Sequence, residues 1–174
     1  MSEMIDLLYD ALSHAETGGE IDKWIRTNYN PPDKILADGT IKPVGSSAFG
    51  PVQITRALAT NEGRFDAYFN QLTPETQKFI REVYNPMQQK MNKYGGEDMQ
   101  PGFEQFDYGQ SGGFDPQYRD EYEKMAKELI EMKWMQSGRN SSRLLELWKG
   151  NPNNAPLEKG YRQRFEDRLA KGNQ

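Results

Sequence analysis

The chain has 174 residues, 35% hydrophobic and 28% charged, with a formal net charge of −4. That length suits one domain, residues 1–174, whose core needs no disulfide staples, and the acidic balance argues against an electrostatic grip on nucleic acid. With no cysteine and one histidine, His14, a Cys-His nucleophile and a thiolate metal site are excluded, and a histidine-rich zinc site is disfavoured.

A Ser-His-Asp triad would have to use His14, and no Gly-x-Ser-x-Gly elbow is present. Any catalysis therefore falls to carboxylates, hydroxyls, amides or lysines, with no metal and no cofactor expected. The N-terminus carries acids and lacks a basic stretch followed by an unbroken apolar run, and no window approaches a membrane span. The expectation is a chain made in the cytoplasm without a signal peptide.

Met4, Ile5, Leu7, Leu8, Ala11, Leu12 and Ala15 recur at helical spacing. Ser2 suits the N-cap, and Gly18-Gly19 suits the stop. Glu16 then lies in the last turn of the first helix, at the edge of its apolar face. Residues 20–50 are irregular, with prolines and an Asp38-Gly39 turn pair; Ile35-Leu36 and Ile41 predict a small β-hairpin near residues 35–42. Pro51 predicts a first helical position, with Val52, Ile54, Thr55 and Leu58 carrying a short helix to Gly63.

Thr73-Pro74-Glu75 is a strong helix start, combining an N-cap, a proline at the first helical position and an acid in the first turn. Phe79, Ile80, Val83, Tyr84, Met87 and Met91 continue at helical spacing, with a kink or split at Pro86 and a stop at Gly95-Gly96. Residues 95–114 form a Gly-rich loop. Its Phe103, Phe106, Tyr108 and Phe114 suit the floor of a binding groove or the tacking of a loop to the body equally well. Asp115-Pro116 opens a further helix, with Tyr118, Tyr122, Met125, Leu129 and Met132 as a core stripe, ending at Gly138. A short helix through "SSRLLELWKG" and a last one over roughly 157–170 complete an all-α chain with two long loops. The basic residues of that last segment interleave with acids, the pattern of a solvated helix face.

Two elements flank the first long loop. "AETGG" at 15–19 ends the first helix, and "SSAFGPVQI" at 46–54 enters the next element. Together they resemble the lysozyme-like domain of lytic transglycosylases, the soluble-lytic and goose-type group. That family has a Glu-Ser pair at a helix end, then a small-residue turn running into a Gly-x-x-Gln-Ile/Leu helix start. Glu16-Thr17 would stand for the first motif, with Thr keeping the hydroxyl; Ala48, Gly50, Gln53 and Ile54 would stand for the second. The separation of the two is longer than the family's, which implies an insertion. The family's third motif, Tyr-Asn-Ala-Gly, has its nearest counterpart in "LWKG" at 147–150, which lacks the tyrosine that supports the catalytic Glu. A final-helix tyrosine is matched loosely by Tyr161.

The resemblance implies a lysozyme-like fold and cleavage of the MurNAc-β-1,4-GlcNAc bond of peptidoglycan. Glu16 would be the catalytic acid and then base, with Thr17, Ser47, Gly50, Gln53, Trp148 and Tyr161 as substrate-binding candidates. It implies substrate assistance by the N-acetyl group and a 1,6-anhydro-MurNAc product. A hydrolytic lysozyme on the same bond and a non-catalytic helical virion protein are the alternatives. The expected partners are glycan strands and other virion proteins, in a phage endolysin or wall-penetrating component acting at the bacterial cell wall. Asp22, Asp33 and Asp38 of the first loop suit turns better than a second catalytic carboxylate. Taken alone, Glu16 is a solvated acid near a helix C-terminus, where the helix dipole disfavours its charge. Gln53 suits an early-helix position nearly as well as a cleft.

Overall fold

The computed structural model of the chain describes residues 2–17, 34–35, 37–39, 41–42, 50–54, 69–84, 116–149 and 159–173. The first helix, α1, spans Glu3–Thr17. Ser2 caps it, its hydroxyl accepting from the Ile5 N–H at 3.3 Å. The 3.6-residue spacing places Ile5, Leu8, Ala11, Leu12 and Ala15 on one buried face.

A two-stranded antiparallel hairpin follows, β1 (Lys34–Ile35) and β2 (Ile41–Lys42), with Ile35 opposite Ile41. Gly39 sits in its turn at φ +82°, a conformation that favours a residue without Cβ. The predicted hairpin therefore lies where the Asp-Gly pair placed it.

Helix α2 begins as an α-helix over Pro74–Phe79 and widens to π geometry over Ile80–Tyr84. Thr73 is its N-cap, accepting from the Thr76 N–H. The continuation beyond Tyr84, including Pro86 and Met91, lies outside the described residues, as does the aromatic loop at 95–114. Helix α3 spans Pro116–Gln136, α4 Ser141–Lys149 and α5 Lys159–Gly172. The α3–α4 corner turns through Gly138 and Arg139, both at positive φ, and Asn140 caps α4 by accepting from the Arg143 N–H at 2.8 Å.

The described residues are mainly helical, and the fold is all-α. Helix α1 packs against α5 and α3, and α3 also packs against α4 and α2. Their apolar faces form one core that includes Leu8, Leu12, Tyr84, Tyr122, Met125 and Phe165. The stripe on α3 behaves as core: Tyr122, Met125 and Leu129 are buried, while Tyr118 and Met132 are partly so. Among the described residues, no helix is long and apolar enough to cross a membrane.

The segment from Gly50 to Ile54 departs from the expected helix start. It is a turn, closed by Gln53 N–H donating to the Gly50 carbonyl at 3.0 Å. Gln53 has φ +52°, which ends any right-handed helix at that residue. The Gln53 side chain reinforces the turn, Nε2 donating to the same Gly50 carbonyl at 2.8 Å. Pro51 thus serves a turn, not a first helical turn, and residues 55–63 lie outside the described residues.

Candidate functional site

Glu16 ends on a helix that is otherwise held by its neighbour α5. Along one face of α5, Arg168 pairs with Asp10 through Nε at 2.7 Å, and Arg164 donates from Nε and Nη2 to the Ala15 carbonyl at 3.2 and 3.0 Å. Arg164 thereby satisfies a backbone acceptor in the last turn of α1, one of the groups a helix end leaves without an intrahelical donor. One turn before Arg164, Tyr161 is buried and donates its hydroxyl to Glu16 Oε1 at 2.8 Å.

From the end of α4, Lys149 brings its Nζ to 3.4 Å from the same Oε1. The Lys149 ammonium also lies 4.4 Å from the centre of the Tyr161 ring, within the range of cation–π attraction. Three elements therefore meet at one carboxyl: the end of α1, the end of α4 and the start of α5.

The Glu16 side chain is only 10% exposed against 38% for Lys149, so the acid is inside and the base at the surface. Burial pushes the Glu16 carboxyl above the usual carboxylate range, because charging it there forfeits hydration. Lys149 and the Tyr161 hydroxyl pull the other way by stabilising the anion, and burial prevails. The Tyr161 phenol is itself pushed far up, first by burial and then by the neighbouring Glu16 charge, so it stays a hydrogen-bond donor. The result is a shielded carboxyl that favours its protonated form more than a surface glutamate does. That is the property a general acid requires.

The second motif is anchored by aromatic side chains from three helices. Tyr84 of α2 donates its hydroxyl to the Ile54 carbonyl. Tyr122 of α3 accepts from the Val52 N–H at 3.3 Å, and Trp148 of α4 donates its indole N–H to the Val52 carbonyl at 3.3 Å. Gly50 has a packing reason for its identity: a Cβ there would stand 2.5 Å from the Tyr122 ring, at a φ of +80°. Val52 and Ile54 are fully buried.

Of the sequence candidates, Glu16 and Tyr161 come into direct contact. Trp148 is buried, and its indole N–H holds the Val52 carbonyl. It joins the 50–54 turn to α4, whose next residue, Lys149, reaches Glu16. Gly50 and Gln53 share one turn. Thr17 closes α1, with its side chain outside the described atoms, and Ser47 lies outside the described residues. Lys149 was not among the candidates. Its signal in the sequence is a single basic residue ending "LLELWK", which is also ordinary helix C-terminal chemistry.

Among the described residues there is no cluster of three or more His, Asp or Glu side chains suited to a metal. A groove of about 400 Å³ between α2 and α3 is lined by Phe79, Val83 and Tyr118 with Glu75, Lys78, Glu82 and Glu121, and Glu16 does not line it. No family model, curated protein or solved structure matches this chain.

Proposed function

We propose that the protein is a peptidoglycan-cleaving lytic transglycosylase with Glu16 as its acid and base. The observation that supports this best is a buried carboxyl at a helix end, raised in pKa by burial and fixed by a tyrosine hydroxyl. The resemblance of "AETGG" and "SSAFGPVQI" to the family's two motifs supplies the substrate class.

In this reading, Glu16 gives its proton to the glycosidic oxygen as the C1–O bond of the MurNAc residue breaks, and the N-acetyl oxygen supports the electron-poor C1. The Glu16 carboxylate then takes the proton of the sugar's own 6-hydroxyl. O6 bonds to C1, and a 1,6-anhydro end forms with no water consumed. Tyr161 serves by donating to the carboxyl throughout, supplying the tyrosine hydroxyl that "LWKG" lacks.

Mass spectrometry of digested glycan strands tests the reaction type. Anhydro-MurNAc ends support it, whereas reducing ends assign the hydrolytic lysozyme reaction. Glu16→Gln tests the residue: positioned acid–base groups contribute about 10²–10⁴-fold, and a loss of that size is expected. Equal clearing of cell-wall material by both proteins overturns the assignment.

A second reading rests on the Lys149–Glu16 contact at 3.4 Å. A buried acid paired with a base and a hydroxyl is also a way of tying α1, α4 and α5 together in a non-catalytic helical protein of a virion. In that case neither wild type nor Glu16→Gln clears wall material, and the substitution shows only in stability. For the enzymatic reading, the phage setting, as endolysin or wall-penetrating virion component, accompanies the substrate class.

A further inference from the structure

The proposed acid has two oxygens, and the structure treats them unequally. Both contacts from described residues, the Tyr161 hydroxyl at 2.8 Å and the Lys149 ammonium at 3.4 Å, fall on Oε1. Each is a donor at that position, since an ammonium has no acceptor and the Tyr161 proton is directed at the carboxyl. An oxygen that accepts two donors is a poor place for a third proton.

We propose that Lys149 is a positioning residue for Glu16, acting with Tyr161 to hold Oε1 as the permanent acceptor so that Oε2 is the oxygen that carries and delivers the proton. This rests on the reading of Glu16 as the acid. It adds a role for a residue that was not among the sequence candidates, and a division of labour between the two oxygens.

The arrangement explains how one carboxyl serves both half-reactions without turning. Oε1 accepts in the acid state and in the anion alike, so loss and recapture of the proton at Oε2 leave the Tyr161 and Lys149 contacts in place. Lys149 is itself oriented, its Nζ lying over the Tyr161 ring. Among the described residues, the polar and charged groups that face Glu16 come from two helices: Lys149 from α4, and the neutral Tyr161 phenol and Arg164 from α5, the latter bonded to the Ala15 carbonyl. On α1 itself, His14 is two residues away. Lys127 of α3 is engaged with Asp6, near the opposite end of α1, and Arg168 with Asp10. Among the described residues, Lys149 is therefore the cation in direct contact with the carboxyl.

The test is a carbon-detected NMR titration of the Glu16 side-chain carboxyl in the wild type, Lys149→Met and Lys149→Arg, with peptidoglycan turnover measured against pH on the same proteins. Removing the cation removes support for the anion, so Lys149→Met moves the Glu16 midpoint to higher pH and Lys149→Arg returns it towards wild type. The limb on which turnover falls as pH rises moves up with it. In the unsubstituted protein, the Lys149 side-chain resonances follow the Glu16 midpoint, a readout that needs no variant to fold. A Glu16 midpoint that is the same in all three proteins, or Lys149 resonances indifferent to it, overturns the proposal. If the midpoint moves as expected and the wild type turns nothing over, Lys149 still holds Glu16 and it is the enzymatic reading that fails.

Discussion

On α3, the carboxylate of Glu128 accepts from the Thr73 N–H at 2.8 Å through Oε1 and from the Thr76 hydroxyl through Oε2. It thereby sits at the N-terminus of α2, where backbone N–H groups point outward and the helix dipole favours an anion. On α1, Glu16 lies at the other kind of helix end, where the exposed backbone groups are carbonyls and the dipole disfavours an anion. Its described donors both reach one oxygen. The same side chain in one place braces a helix N-terminus through both oxygens, and in the other is a shielded acid with one oxygen anchored. What distinguishes the two carboxyls is which helix end each meets and how its two oxygens are engaged.

The largest expected effect tests that contrast directly. Glu16→Gln lowers peptidoglycan turnover by about 10²–10⁴-fold, whereas Glu128→Gln leaves it within about twofold. Equal losses from the two substitutions break the comparison. Next comes Gly50→Ala, which forces a Cβ against the Tyr122 ring at a positive φ and is expected to cost about 2–4 kcal/mol of stability. Denaturant unfolding measures it, and a neutral result means that the 50–54 turn is not held as described. Glu128→Ala follows, with a loss of about 1.5 kcal/mol, the scale of a hydrogen bond to a charged group.

The smallest effect is a slope. Because the folded-state pKa of Glu16 is raised, the folded protein binds this proton more tightly than the unfolded chain does. The wild type therefore loses stability relative to Glu16→Gln as pH rises from the ordinary glutamate value of 4.5 through the raised one. Paired melting curves across that window check the sign; parallel curves remove the shielded-acid half of the contrast.

Much of the helical frame was legible locally. Ser2, Thr73-Pro74 and Asp38-Gly39 marked two caps and a turn, because capping and positive-φ preferences act over three or four residues. Helical periodicity located the buried faces of α1 and α3 for the same reason. It did not reveal the π turn at Ile80–Tyr84, since the 3.6 spacing continues through it in the sequence. Pro51 was misleading: proline suits a helix start and a turn alike, and the choice was made by distant aromatic groups. Tyr84, Tyr122 and Trp148 bind the backbone of Val52 and Ile54 from three helices.

The sequence by itself determined that the chain is built of helices with amphipathic faces, and that Glu16 occupies the last turn of the first. Those features follow from residue preferences and spacing within a turn or two. Only the tertiary structure decided the environment of Glu16. Tyr161 lies 145 residues from it along the chain, and Lys149 comes from a different helix again. A carboxyl's pKa depends on how much water surrounds it and which charges stand within a few ångströms, and both are set by packing between segments that no local pattern connects.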